Sequence, residues 1–361
     1  LKSKGIFGSA ESKIRDGSEN GQKIIDITIT EKPTGEISAG AGYGTSGSTI
    51  SFGIKENNFN GKGINLNTNL SITEESIRGM FSYTHPNFAY SDRSLTTSIQ
   101  STTTDKEKDY GYKNSLNSIS LGTGYEQYKD LYFYPSISIS GENLTTTADA
   151  SANYKKQEGS YFDTLFNYSI TYDKRNSSYQ PTDGFRSSWQ QNLPIISDNS
   201  TIVNGYDITG YKEIIDDMVF TAGFYSRAIN SIGDNDVRVS RRLFVPKSKL
   251  HGFEPGKVGP KDGADYVGGN YVTTFNTSTT VPYLLQTLET VDLKIFFDAA
   301  NLWGVDYSSS VDDSNEIRSA FGAAVEVLTP VGPLSFSLSQ PITKATGDKT
   351  ETFRFQLGTT F

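Results

Sequence analysis

The last residues of the chain alternate without a break. Phe353, Phe355, Leu357, Thr359 and Phe361 fall on one side of an extended segment, and Thr352, Arg354, Gln356, Gly358 and Thr360 on the other. Successive side chains of a strand point to opposite faces, so this segment has one greasy face and one polar face. A strand of roughly ten residues that alternates in this way and ends on an aromatic suits a wall with lipid outside and water inside. That reading constrains everything upstream of it.

No stretch of the chain approaches the ~18 consecutive apolar residues of a helical span, which excludes a helical membrane protein. The remaining choices are a soluble all-β protein and a closed barrel. Hydrophobic content is 35%, yet there are 34 Gly, 21 Tyr and 21 Phe. A sequence rich in aromatics but polar overall fits a wall with a single apolar face. The absence of cysteine removes disulfides, thiolate nucleophiles and Cys-based metal sites. A net charge of -8 argues against a nucleic-acid partner, which needs a basic face.

The chain starts at Leu1 and shows no basic segment followed by an apolar one, so it is expected to be a piece of a longer, processed precursor. Residues 1–34 read as part of a small α+β module, with a strand over Ser9 to Arg15 and another over Lys23 to Thr30. From residue 35 to 361 the pattern becomes sixteen long alternating segments, divided by Gly, Pro, Asn and Asp clusters. They fall near 35–44, 48–57, 62–73, 76–84, 92–103, 114–127, 131–145 and 160–172 in the first half. In the second half they fall near 184–193, 203–213, 218–231, 267–281, 288–299, 316–328, 332–341 and 350–361. The expected fold is therefore all-β, a 16-stranded antiparallel transmembrane barrel carrying a truncated α+β fragment at its N-terminal end. An even strand number puts both barrel ends on one side. Connections such as Asn58 to Gly61 and Ile214 to Asp217 are short, whereas Thr104 to Lys113, Thr146 to Gly159, Ile232 to Tyr266 and Ala300 to Asn315 lie on the opposite rim and are long.

The longest insert, Ile232 to Tyr266, exceeds the usual limit for structureless loops. It carries Leu243, Phe244, Val245, Leu250 and Phe253, which a freely solvated loop would not hold in water. It is expected to fold into the lumen, with Gly252 supplying a turn or close approach and Phe253 packing.

Several spaced motifs in this chain resemble those of the BamA family of outer-membrane insertases, and the resemblance runs over the whole length. They include Glu31-Lys32-Pro33-Thr34-Gly35 with Gly40-Ala41-Gly42-Tyr43, and Asp173-x-Arg175-Asn176 with Pro181-Thr182-x-Gly184. Leu250-His251-Gly252-Phe253-Glu254-Pro255 stands where the family's sixth extracellular loop carries an Arg-Gly-Phe motif. Phe296-Phe297-Asp298 to Asn301-Leu302-Trp303 and Leu328-Thr329-Pro330-Val331-Gly332-Pro333 complete the set. The resemblance implies that residues 1–34 end the last POTRA domain, the periplasmic module of the family. It also implies that the loop tip is anchored to the lumen wall. The family's loop Arg is His251 here. One acidic partner is kept as Asp298, inward by strand parity, and the second position falls on Ser278. A hydrogen bond from His251 to Asp298 is the expected anchor, since an imidazole can serve one carboxylate and one hydroxyl.

The resemblance further implies insertion of unfolded β-barrel clients into the bacterial outer membrane, with the N-terminal end in the periplasm and assembly lipoproteins docking on POTRA domains. A transporter of the same superfamily, TamA-like or of two-partner secretion, is the alternative. The weak line of such a barrel is the seam between its first and last strands: Gly40, Gly42 and Gly44 on one side, Gln356, Gly358 and Phe361 on the other. Glycine weakens a strand by removing cross-strand side-chain pairs. An edge opened there would template an incoming strand without ATP.

No enzyme is expected. The two histidines limit any His-dependent triad, and His85 precedes Pro86 at a turn. No cofactor or metal is expected either, because acidic pairs such as Glu74-Glu75, Asp216-Asp217 and Asp312-Asp313 fall in connections, where solvated turns are the default.

Overall fold

Alternation builds the wall. The computed structural model describes residues 6–19, 21–45, 47–281, 291–306, 311, 313, 315–329 and 332–358. Ahead of the wall stand β1 (Phe7–Asp16) and β2 (Lys23–Glu31), which pair antiparallel as a hairpin of their own. The wall begins with β3 (Gly35–Gly44), β4 (Gly47–Phe59), β5 (Ile64–Thr73), β6 (Ser76–His85) and β7 (Ser94–Lys106). It continues with β8 (Tyr112–Tyr128), β9 (Leu131–Thr146), β10 (Gly159–Asp173), β11 (Asp183–Ser197), β12 (Thr201–Ile215) and β13 (Met218–Ser231). A long loop holds the small hairpin β14 (Lys261–Asp262) and β15 (Asp265–Tyr266). The wall then resumes with β16 (Tyr271–Thr280), β17 (Val291–Trp303), β18 (Arg318–Thr329), β19 (Gly332–Thr343) and β20 (Phe353–Leu357). Among the described residues these sixteen wall strands close into an antiparallel barrel, β20 meeting β3.

The two faces of each strand follow from side-chain chemistry. Ile99 of β7, Ile119 and Leu121 of β8, and Ile137 and Ile139 of β9 are exposed on the outer face. The alternate residues, such as Gln100 and Thr102 on β7 or Ser138 and Ser140 on β9, turn inward. A shift of one residue in register would exchange the two sets, so one apolar face fixes the pairing of every strand. No helix among the described residues is long and apolar enough to cross a membrane.

Two features of the wall differ from the sequence-based expectation, while the N-terminal fragment carries its two expected strands as a hairpin. Its Ile14, Ile25, Ile27 and Ile29 are exposed, and an isolated two-stranded hairpin is only marginally stable in water. Among the described residues the last strand covers Phe353–Leu357 of the expected 350–361: Gly358 turns to φ +91, residues 349–351 pair with the luminal loop, and 359–361 lie outside the described residues. The loops are sorted less cleanly than expected: the rim with the long loops also carries the short connections 74–75 and 198–200. On the opposite rim the connection 174–182 is long, and it is ordered by its own motif. Arg175 makes a bidentate pair with Asp173 at 2.9 and 2.7 Å, and Asn176 accepts from the Thr182 and Asp183 amides. Gly184, at φ +92, lets the chain pass the Lys174 carbonyl, where a Cβ would sit 2.1 Å away.

The long loop enters the lumen. Its Val245, Leu250, Phe253 and Val258 bury against Val272, Ala300, Leu302 and Ala320 of β16 to β18. Burying these groups inside the barrel satisfies the apolar content that distinguishes this insert from a solvated loop. A second apolar cluster, with Tyr110, Tyr112, Leu144 and Tyr154 at its centre, joins the other long connections above it.

Candidate functional site: the luminal loop and the barrel seam

Parity along β17 places Asp298 in the lumen, and Asn276 of β16 stands directly opposite it. The Asp298 side chain is almost wholly buried and accepts three hydrogen bonds: from the His251 amide at 3.0 Å, His251 Nδ1 at 2.6 Å and Asn276 Nδ2 at 2.7 Å. Against a carboxylate, Nδ1 is the donor. Asn276 also donates to the Lys249 carbonyl at 2.8 Å, so it grips the loop backbone as well. Ser278 faces the same cavity two residues along β16, but the hydrogen-bonding neighbour of Asp298 on that strand is Asn276. The imidazole ring lies on Phe296, 4.5 Å between centroids. Gly252 sits at φ +83, and a Cβ there would meet that of Ala320 at 3.0 Å. Phe253, 1% exposed, fills the apolar cluster below it. His85 ends β6 on the short-turn side, its ring edge against Phe88.

The loop is also held at places the sequence reading missed. At its stem Arg238, 1% exposed, is ion-paired with Glu142 of β9 at 3.1 Å and with Asp163 of β10, and lies over the Tyr161 ring. Arg241 adds a second cation on Asp163 at 2.6 Å. Two buried carboxylates and two guanidiniums thus neutralise one another, the arrangement that makes buried charge tolerable. Next in sequence, Arg242 pairs with Asp306, and Asn270 bridges them, accepting from Arg242 at 2.8 Å and donating to Asp306 at 3.1 Å. Burial, the largest single influence, would raise the Asp306 carboxyl, but the Arg242 charge and the hydrogen bonds from the Val237 amide, Asn270 and Arg242 together hold it below the usual carboxylate range. The neighbouring Asp236 goes the other way, raised by burial and then by the Asp306 charge. Farther along, Asp348 takes a bidentate grip from Arg318 at 2.9 and 3.3 Å and accepts the Gly259 amide at 3.2 Å.

The seam is the least paired line of the wall. Gln356 faces Gly44 and Leu357 faces Tyr43, and these two pairs are the whole ladder between β20 and β3 among the described residues. The Phe355 carbonyl accepts from the Thr45 amide at 3.1 Å beside them. By contrast, β3 and β4 share ten pairs and β9 and β10 fourteen. Gly40 and Gly42 pair with Ser51 and Thr49 of β4. Gly44 and Gly358 permit a close crossing: a Cβ on Gly44 would meet the Phe355 carbonyl oxygen at 2.5 Å. Phe361, expected at this seam, lies outside the described residues. Inside the seam a cavity of about 290 Å³ is lined by Gly42, Gly44, Lys247, His251, Arg354 and Gln356. The loop tip and the weak line therefore share one space.

This architecture matches known proteins. The crystal structure of BamA from Haemophilus ducreyi lacking POTRA domains 1-3 superposes with a TM-score of 0.87 and 25% identity, over 100% of this chain and 76% of that one. The outer membrane protein assembly factor BamA of Neorickettsia risticii is 25% identical over 97% of this chain, and that of Neisseria meningitidis 23% over 93%. The chain spans about half the length of these two relatives, 48% of each. Residues 58–361 match the Omp85 superfamily domain, and the chain belongs to that superfamily, with a sixteen-stranded barrel of the BamA kind.

Proposed function

We propose that this chain is the membrane barrel of an outer-membrane protein assembly factor, which inserts unfolded β-barrel clients by pairing their strands at the seam between β3 and β20. The observation that carries the reading is that, among the described residues, the ladder at that seam has two pairs, in a wall whose neighbouring strands otherwise share far more. Parting it frees few hydrogen bonds, yet it uncovers an edge whose N-H and C=O groups cost several kcal/mol each if left unpaired in lipid. An incoming strand relieves that cost by adding to the edge, so the client's own pairing drives the step and no ATP is needed. The chemistry is hydrogen-bond exchange, and no covalent catalysis enters it.

In this reading the hairpin β1–β2 ends the last POTRA domain, whose remaining elements cover the exposed isoleucine face and sit in the periplasm. Assembly lipoproteins dock on those domains. The luminal loop, anchored by His251, Phe253 and Asp298 around the turn at Gly252, braces the wall from within, with Ser278 lining the adjoining cavity. A conduit through the lumen gains no support from a loop tied down at its stem, neck and tip.

The test is a disulfide across the seam. Tyr43 and Leu357 stand directly opposite one another, a spacing that a disulfide accepts. The full-length protein carrying Tyr43→Cys and Leu357→Cys should fail to insert clients when oxidised and recover when reduced. Undiminished insertion with the seam locked would overturn the proposal.

A further inference from the structure

The upper part of the last strand is paired with β19 on one side and has no β3 residue beside it on the other. Since Gln356 faces Gly44, where β3 ends, Arg354 and everything before it extend beyond the first strand. An open edge of this kind invites slippage and stray pairing. The luminal loop fills the place. Phe253 forms a β-bridge with Thr350, the Glu351 amide donates to the Gly252 carbonyl at 3.0 Å, and the Glu254 amide donates to the Lys349 carbonyl at 3.0 Å. The Lys349 amide completes the short ladder on the Lys257 carbonyl at 3.0 Å.

One side chain ties this ladder to the seam. Arg354 points inward from β20, donating from Nη2 to the Phe253 carbonyl at 2.7 Å and from Nη1 to the Lys247 carbonyl at 2.9 Å. Its Nε is held by Glu351 at 2.8 Å, which orients the fork. The two carbonyls belong to opposite sides of the His251 anchor, so the guanidinium straddles the loop tip. A planar fork with several donors can do this, whereas an ammonium on a flexible stem serves one point at a time.

We infer that Arg354 is a positioning residue: it pins the last strand to the luminal loop and thereby sets the register in which β20 meets β3. The inference rests on the seam reading above only for its functional consequence; the pinning is a property of the closed barrel. Register at a two-pair ladder is weakly specified by the ladder itself, and the loop supplies what the ladder lacks.

The experiment uses the full-length protein with two separate cysteine pairs. The pair Tyr43→Cys with Leu357→Cys reports the seam, and Phe336→Cys with Phe355→Cys, also directly opposite, reports the ordinary β19–β20 ladder. Arg354→Ala should slow seam cross-linking about tenfold, the effect of losing hydrogen bonds to a charged group, and leave the β19–β20 cross-link unchanged. Arg354→Lys, which keeps the charge and is the variant to rely on if the alanine protein does not assemble, should also slow the seam and fail to rescue it fully. Seam cross-linking at the parental rate in Arg354→Lys overturns the inference. Slowed cross-linking with normal client insertion upholds the pinning and counts against the seam as the insertion site.

Discussion

Gly358 turns over the Ala41 carbonyl so closely that a Cβ added to it would stand 2.2 Å from that oxygen. Its φ of +91 is a conformation that costs other residues roughly 1–2 kcal/mol. Gly358→Ala is expected to push the end of β20 away from β3 while the other strand ladders hold. The Tyr43–Leu357 cross-link should slow markedly, and the temperature at which the barrel unfolds on a gel should change little. A fast cross-link in Gly358→Ala would show that the close crossing is not needed for closure.

Asp298→Ala removes the acceptor of three hydrogen bonds at once and leaves Asn276 with its bond to the Lys249 carbonyl as its hold on the loop. A loss of about 1–3 kcal/mol is expected, read as earlier proteolytic cleavage within the luminal loop. His251→Ala should be milder, because the amide of residue 251 still donates to Asp298. Equal effects of the two would show that the imidazole, and not the backbone bond, carries the anchor.

Gly252→Ala tests the turn beside it. The left-handed φ and the 3.0 Å approach to Ala320 act together, and a loss of about 1–2 kcal/mol is expected from the backbone alone. Thermal unfolding of the purified barrel measures it. A parental midpoint would mean the tip relaxes freely, contrary to its packing.

At the stem, Arg238→Met strands Glu142 and Asp163 in a buried site with only Arg241 left to face them. The expected cost is about 3–5 kcal/mol, the usual result of breaking a buried ion cluster on one side. Adding Glu142→Gln and Asp163→Asn should restore much of the stability, since the uncompensated charge is then gone. Denaturant midpoints for the single and triple variants decide the matter.

Acid should loosen the neck of the loop through Asp306. Its folded-state carboxyl lies below the ordinary value, so the stabilisation is complete above the unfolded carboxylate range and is lost as pH falls through the lowered value. Asp236 has the opposite sign: its raised carboxyl penalises the fold at high pH and relieves it on acidification, which softens the onset. Trp303, stacked on Tyr271 beside this cluster, reports it by fluorescence in a Trp189→Phe background. Asp306→Asn should flatten the acid transition.

The wall was legible because a strand between lipid and water has no freedom to break its alternation; the expected segments 35–44 and 218–231 coincide with β3 and β13. The His251 to Asp298 approach could be anticipated because parity fixes which way Asp298 points. Asn276 was missed in favour of Ser278, although both face inward, because parity gives direction and not reach. The stem cluster was invisible for another reason: Arg238 and Asp163 stand 75 residues apart, on elements that only the closed circle brings together. A signal was present in Glu142 and Asp163, inward acids on strands whose other luminal positions are mostly neutral, and in the cations Arg238, Arg241 and Arg242 clustered near the start of the loop. The late start of the last strand was hidden because Lys349, Thr350, Glu351 and Thr352 are all polar, and polarity alone does not separate a residue that pairs with the loop from one that faces the lumen.

The hydrogen bond that Asp348 accepts from the luminal loop and those that Arg354 donates to it, with the ion pairs at Arg238 and Arg242, make the loop a spoke that reaches four stretches of the circumference. A hoop braced from inside keeps its girth when cut at one point, since the tension is carried across the diameter and not around the perimeter. The loop therefore ties the last strand to β9 and β10 across the lumen, so the place of β20 is fixed from within as well as by its neighbours in the wall.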